Sequence, residues 1–152
     1  MLTFDLDPGP RVDWEFVLDT ALALRDALTA DGYAPWPKTS GGKGLHVMVP
    51  LPDRSSDWDR ARSWAKRFVE RFARRDARYT VQSTVKREGR IFLDYLRNGR
   101  GSSAVAAYSP RAHSGFPVAM PVTWAEVEAG VKADSYRLRD VISRAHPRRR
   151  RR

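Results

Sequence analysis

The chain has 152 residues, 41% of them hydrophobic, which is the length of one ordinary domain with enough apolar material for a core and argues against wholesale disorder. It contains no cysteine, which excludes disulfides and thiolate metal sites and fits a reducing compartment; it shows no basic-then-apolar leader and no apolar run of about eighteen residues, so neither a signal peptide nor a membrane span is predicted. Lys plus Arg number 28 against 18 Asp plus Glu, a formal charge of +10 that suits a polyanionic partner without separating DNA from RNA or from an acidic membrane.

In chain order, Leu2 to Leu6 reads as a short strand, with Leu2, Phe4 and Leu6 on one face and Thr3, Asp5 and Asp7 on the other. Pro8-Gly9-Pro10 ends it. The stripe Trp14, Val17, Leu18, Ala21, Leu24, Leu28 predicts an amphipathic helix from Asp13, its candidate N-cap, to Ala30, with Gly32 just beyond. Tyr33 to Pro37 is a weak strand leading into the turn Ser40-Gly41-Gly42-Lys43-Gly44, and Leu45 to Val49 is a better one. After a turn at Pro50 to Ser56, the stripe Ala61, Trp64, Ala65, Phe68, Val69, Phe72 predicts a second helix from Asp57 to Arg75. Tyr79 to Val85 and Arg90 to Leu96 read as strands. Beyond Asn98 periodicity fades: Val105 to Tyr108 is a candidate strand, and Thr123 caps a short helix from Trp124 to Gly130. The order β-α-β-β-α-β-β predicts an α+β fold, one mixed sheet with helices packed on one face and the other face open to a ligand.

Three constellations fall on that predicted open face. In Asp5-Leu6-Asp7 both carboxylates project the same way, as residues i and i+2 of a strand do, and can bridge hard divalent cations. Alone the pattern is weak, since sugar transferases, phosphatases and solvated strand ends share it. In Ser40-Gly41-Gly42-Lys43-Gly44-Leu45-His46, three glycines allow backbone N–H groups to approach an anion, beside a hydroxyl, a charge and an imidazole. The spacing is not that of a Walker A loop, and an ordinary hairpin turn with an exposed lysine is the competing reading. Asp94, in the apolar run Ile91-Phe92-Leu93-Asp94-Tyr95-Leu96, needs a partner: a metal, or a nearby arginine. Together, three carboxylates with Arg97 and Arg100 following describe two-metal phosphoryl transfer, the glycine turn holding a triphosphate. The five arginines Arg148, Arg149, Arg150, Arg151 and Arg152 are either a nucleic-acid contact or a solvated end.

These segments, in this order, resemble the archaeo-eukaryotic primase superfamily, and within it the polymerase domain of bacterial DNA ligase D. Asp5-Leu6-Asp7-Pro8-Gly9-Pro10, Ser40 to Val47 and Phe92-Leu93-Asp94-Tyr95-Leu96-Arg97-Asn98 carry the resemblance, along with Arg100 to Ala106, Tyr108-Ser109-Pro110-Arg111-Ala112 and Pro121-Val122-Thr123-Trp124. It implies an RRM-like palm over residues 1–135, followed by a basic tail at 136–152. It implies Asp5, Asp7 and Asp94 as catalytic metal ligands for Mn²⁺ or Mg²⁺, and Ser40, Gly41, Gly42, Lys43, Gly44, His46 and Arg97 as the nucleotide site. Arg100, Arg111 and the arginine tail are assigned to nucleic acid. The implied function is addition of nucleotides, ribonucleotides by preference, to broken or gapped DNA ends in end-joining repair, in a bacterial cytoplasm at the nucleoid. The implied partners are nucleoside triphosphates, Ku and a separate ligase. Members of the family carry a sizeable part before the first Asp-x-Asp motif. The sequence therefore predicts a truncated form, a minimal core, or one half of a split enzyme completed by another chain. The alternative function is a non-catalytic nucleic-acid-binding module.

Overall fold

The computed structural model describes residues 1–51, 57–83 and 86–145. Most of the Pro50 to Ser56 turn, the end of the Tyr79 to Val85 segment and the arginine tail lie outside the described residues. The elements run β1 (Leu2–Pro8), α1 (Trp14–Ala30), β2 (Trp36–Thr39), β3 (Leu45–Val49), α2 (Trp58–Ala73), β4 (Tyr79–Thr80), β5 (Ile91–Asp94), a 3₁₀ turn (Leu96–Asn98), α3 (Trp124–Glu128) and α4 (Leu138–Ala145). The five strands form one sheet in the order β2-β3-β1-β5-β4, antiparallel except between β4 and β5. The predicted α+β class and the β-α-β-β-α-β-β order are as observed.

Strand β1 lies at the centre because its alternation suits it to burial on one side. Leu2, Phe4 and Leu6 are at most 1% exposed and meet Leu45, Val47 and Val49 of β3 and Ile91 and Leu93 of β5 in one core. Helices α1 and α2 close that face with Val17, Ala21, Leu24 and Leu28 and with Ala65, Phe68, Val69 and Phe72. Phe4 packs against Phe68 and Trp64, with ring centroids 5.5 and 6.2 Å away. Asp57 caps α2 through a bond to Asp59 N, whereas Asp13 occupies the cap position of α1 without a side-chain bond. The capping box of α3 is complete, with Glu126 N donating to Thr123 Oγ1 at 3.2 Å and Thr123 N to Glu126 Oε2 at 2.7 Å.

Several expected elements differ. The strand read at Tyr33 to Pro37 forms at Trp36–Thr39, because its register is set by pairing Lys38 with His46 and Thr39 with Leu45. The strand from Tyr79 stops at Thr80, where Gln82 N turns to bond Thr80 Oγ1. The Arg90 to Leu96 strand ends at Asp94, whose carboxylate accepts from Leu96 N at 2.7 Å and starts the 3₁₀ turn. No strand forms at Val105 to Tyr108; Tyr108 has a left-handed backbone, φ 67°. Helix α4 forms inside the stretch read as a tail, where Leu138, Val141 and Ile142 are its large apolar residues. The sheet face opposite the helices is open only in part. Lys38 Nζ reaches across it to bond Val105 O, and Lys38, His46 and Asp94 are 2, 3 and 5% exposed. Among the described residues, no helix is long and apolar enough to cross a membrane.

Candidate functional site

The sheet register places four polar side chains in one row across four strands. Lys38 of β2 faces His46 of β3, His46 faces Asp5 of β1, and Asp5 faces Asp94 of β5. Asp7 stands two residues along β1 on the same face, opposite Phe92. Asp5 and Asp94 share one guanidinium: Arg97 Nε lies 3.1 Å from Asp94 Oδ2 and 3.8 Å from Asp5 Oδ2. Asp7 pairs instead with Arg87. The two neighbouring carboxylates predicted for Asp5 are thus beside it. Among the described residues, however, no three acidic or imidazole side chains are already gathered into a metal cage. Arg97 and Arg87 are their present partners.

This row is electrostatically tense. Burial first, then the charges of Asp7 and Asp94, push the Asp5 carboxyl up to about 7, against the opposing pull of Arg97 and Lys38. Burial and the positive charges of Lys38, Arg97 and Arg111 drive the His46 imidazole down to about 3, so the ring is neutral. Its Nε2 lies 3.5 Å from Asp5 Oδ1, a dipolar contact and not an ion pair, and its buried Nδ1 has no hydrogen-bond partner. Burial also lowers the Lys38 ammonium, opposed by Asp5 and reinforced by Arg111.

A cleft of about 430 Å³ opens over Asp5 and His46 of the row, lined also by Asp7, Lys43, Arg97 and Arg111, with Ser40, Gly42, Gly44, His113 and residues 103–105 completing it; Asp94 lines a second cleft with Asp7, Arg87 and Arg97. The glycine turn forms one wall, though not as a cradle of free N–H groups. Ser40 Oγ accepts from both Gly42 N and Gly44 N at 3.1 Å, and Gly41 N donates to Ala133 O at 2.9 Å. The expected backbone donors of Gly41, Gly42 and Gly44 are therefore committed within the fold. The glycines serve close approach instead: a Cβ on Gly44 would stand 2.6 Å from Leu6 O and 3.2 Å from Asp5 Oδ1, and one on Gly41 (φ 66°) would meet Arg111 Cγ at 2.8 Å. Lys43, at the exposed tip of the turn, reaches the cleft as expected. Arg100 is exposed and lines no part of this cleft.

The LigD primase-polymerase domain family matches residues 1–150. The chain belongs to this family. It is 40% identical over 142 residues to the multifunctional non-homologous end joining protein LigD of Pseudomonas aeruginosa, covering 92% of this chain and 17% of that protein. It is 36% identical over 129 residues to the Mycobacterium tuberculosis end joining DNA repair protein LigD, covering 84% of this chain and 17% of that one. The fold superposes on the polymerase domain of Mycobacterium tuberculosis ligase D, solved in complex with DNA, with a TM-score of 0.89 and 34% identity, over 97% of this chain and 51% of that one. The chain thus spans about a sixth of these curated relatives and about half of the solved domain.

Within this LigD-type site, four residues were not singled out by the sequence. Lys38 completes the polar row; reading the strand two residues further would have put it in register with His46. Arg87 lies in a turn between strands, and its role shows only once the fold brings it to the Asp7 carboxylate and over the Phe92 ring. His113 sits in an aperiodic segment and lines the cleft beside Gly42. Asn98, quoted only as part of a motif, is 3% exposed and continues the ladder where β5 stops: its Oδ1 accepts from Thr3 N at 2.8 Å and its Nδ2 donates to Thr3 O at 2.9 Å.

Proposed function

We propose that this chain is the carboxylate-bearing core of a primase-polymerase nucleotidyltransferase that adds nucleotides to DNA ends in non-homologous end joining. The observation that carries the reading is the Asp5–Asp94 cross-strand pair with Asp7 beside it: Asp5 and Asp7 line a cleft walled by Lys43, Arg97 and Arg111, and Asp94 lines a second cleft that shares Asp7 and Arg97 with the first. Mn²⁺ or Mg²⁺ held by Asp5, Asp7 and Asp94 would supply activation of the attacking hydroxyl and neutralisation of the leaving pyrophosphate. The residues fit such ions: they are hard oxygen donors, and after burial it is the charges of Asp7 and Asp94 that raise the proton affinity of Asp5, a repulsion that a cation relieves. Loading requires Arg87 and Arg97 to release the carboxylates and turn to phosphate oxygens, for which a guanidinium is equally suited.

In this reading Lys43 and Arg111 hold the triphosphate by charge, and His113 adds a donor. Ser40 shapes the turn, and His46, being neutral, acts by hydrogen bonding. The end-joining relatives and the DNA-bound neighbour support broken or gapped DNA as the second substrate. Ribonucleotide preference, cooperation with Ku and a ligase, and a place at the bacterial nucleoid extend the proposal from the family resemblance.

A non-catalytic nucleic-acid-binding module is the second reading, and the arginines now paired with Asp5, Asp7 and Asp94 favour it. Incorporation of labelled ribonucleotide into a gapped DNA with Mn²⁺ separates the two. The catalytic reading expects product from the wild type and none from Asp94→Asn. Tight DNA binding with no product under any metal would leave the binding module.

A further inference from the structure

After the cleft-lining Arg111 the chain turns back on itself. Arg111 N donates to Pro117 O at 2.8 Å, Ala119 N to Ser109 O at 3.0 Å, and Pro110 and Val118 form an antiparallel bridge. Residues 109–119 are therefore a hairpin with 112–116 at its tip. At the tip, Phe116 N donates to His113 O at 2.9 Å, and both Gly115 (φ 75°) and Phe116 (φ 45°) have a left-handed backbone. Glycine adopts that conformation freely, but a bulky side chain is strained in it. No burial offsets the strain. Phe116 is 70% exposed, the highest value for a large hydrophobic residue among the described residues.

A strained residue held in place with its apolar ring in water points to a use for the ring. Its surroundings say what kind. Arg111 and His113, on the same hairpin, line the cleft, while a Cβ on Gly115 would come within 3.1 Å of Arg137 Nε. The tip thus presents an aromatic face among cations, on a chain whose formal charge is +10. That combination suits a nucleobase and its phosphate better than a second copy of this chain, which would carry the same positive charge.

We propose that Phe116 is a stacking platform for an unpaired base of the nucleic-acid strand whose end occupies the cleft, with Arg137 contacting the adjoining phosphate. This rests on the nucleic-acid reading of the preceding section and adds a specific contact to it. Stacking on a strained, exposed ring also fixes an expectation for stability: Phe116→Gly relieves the backbone strain and removes no buried contact.

The test uses the full chain and a short single-stranded DNA carrying a fluorescent adenine analogue, with wild type, Phe116→Gly and Phe116→Trp compared by anisotropy, by quenching and by thermal midpoint. Phe116→Gly should keep or raise the midpoint, weaken DNA binding about tenfold, and lose the quenching. Its salt dependence should stay that of wild type, since the phosphate contacts remain. Phe116→Trp should bind and quench as wild type does. Unchanged affinity in Phe116→Gly, a loss shared by Phe116→Trp, or an effect on self-association alone would overturn the proposal while leaving the function standing. Failure of the wild type to bind the strand at low salt would refute both.

Discussion

Replacing Asn98 should damage the fold and the site together. Its side-chain amide stands where β5 has left the sheet and makes three bonds: Oδ1 to Thr3 N at 2.8 Å, and Nδ2 to Thr3 O and to Tyr95 O, both at 2.9 Å. Thr3 is 7% exposed and Asn98 3%, so water cannot readily take over. At about 1 kcal/mol net for each bond, Asn98→Ala should cost about 3 kcal/mol, and more if the buried Thr3 N–H stays orphaned. For a chain of this length that is a fall in thermal midpoint of about 6–12 °C. Asn98→Asp should be no better at neutral pH, because it turns an acceptor toward two carbonyl oxygens. Because Arg97 precedes Asn98 and the turn starts on Asp94, the loosened segment should also weaken nucleotide binding. Thermal and urea unfolding of both variants provide the assay. A midpoint shift below about 2 °C in Asn98→Ala, or a wild-type midpoint in Asn98→Asp, would refute the argument that this amide completes the sheet.

In the metal-free protein, Asp5→Asn should stabilise the fold at alkaline pH. With the folded carboxyl raised to about 7 from 3.8, ionisation penalises the folded state increasingly as pH rises through that window, so the gain seen above pH 7 should vanish near pH 4 in thermal scans with chelator present. Gly44→Ala should lower both stability and nucleotide affinity, because its methyl would stand 2.6 Å from Leu6 O and crowd Asp5; a neutral effect in denaturant titration would show that β1 has room to yield. Glu126→Gln should release α4. Burial disfavours the Glu126 charge, but bonds from Tyr136, Thr123 and Arg144 outweigh it and hold the carboxyl down to about 2. Its stabilisation is present above about pH 4.5 and is lost as pH falls toward 2, so the variant should exchange α4 amides faster at neutral pH and lose less stability than wild type on acidification. Lys43→Ala should weaken nucleotide binding, whereas deleting Arg148 to Arg152 should lower DNA affinity and flatten its salt dependence; equal nucleotide affinity in Lys43→Ala and wild type would remove the charge assigned to the cleft.

The alternation of β1 was legible because its two faces meet different surroundings. Leu2, Phe4 and Leu6 had to meet helices, which left Asp5 and Asp7 together on the far side. Asp94 was legible for the same reason, as a carboxylate in an apolar strand that needs a partner, and Leu96 N and Arg97 now supply one. What the sequence concealed depends on contacts between distant segments. Lys38 reads as a solvated lysine until pairing with His46 buries it. The N–H groups of the glycine turn read as free until Ser40 and Ala133 take them. The cover over the row comes from aperiodic loops around Val105 and Arg111, placed by long-range bonds such as Thr39 N to Met120 O at 2.9 Å. Helix α4 is short and rich in arginine, and its place depends on Arg144 meeting Glu126 and Tyr136.

The central claim is that Asp5, Asp7 and Asp94 form a cation site once their arginines let go. Titrating Mn²⁺ into the protein and following free ion by electron paramagnetic resonance, with and without a nucleoside triphosphate, tests it most directly. The account predicts saturable binding to the wild type that tightens with nucleotide, is lost in Asp5→Asn and Asp94→Asn, and is stronger in Arg97→Ala, where a competing cation has been removed. No saturable Mn²⁺ binding in either the wild type or Arg97→Ala, with nucleotide present, would contradict it.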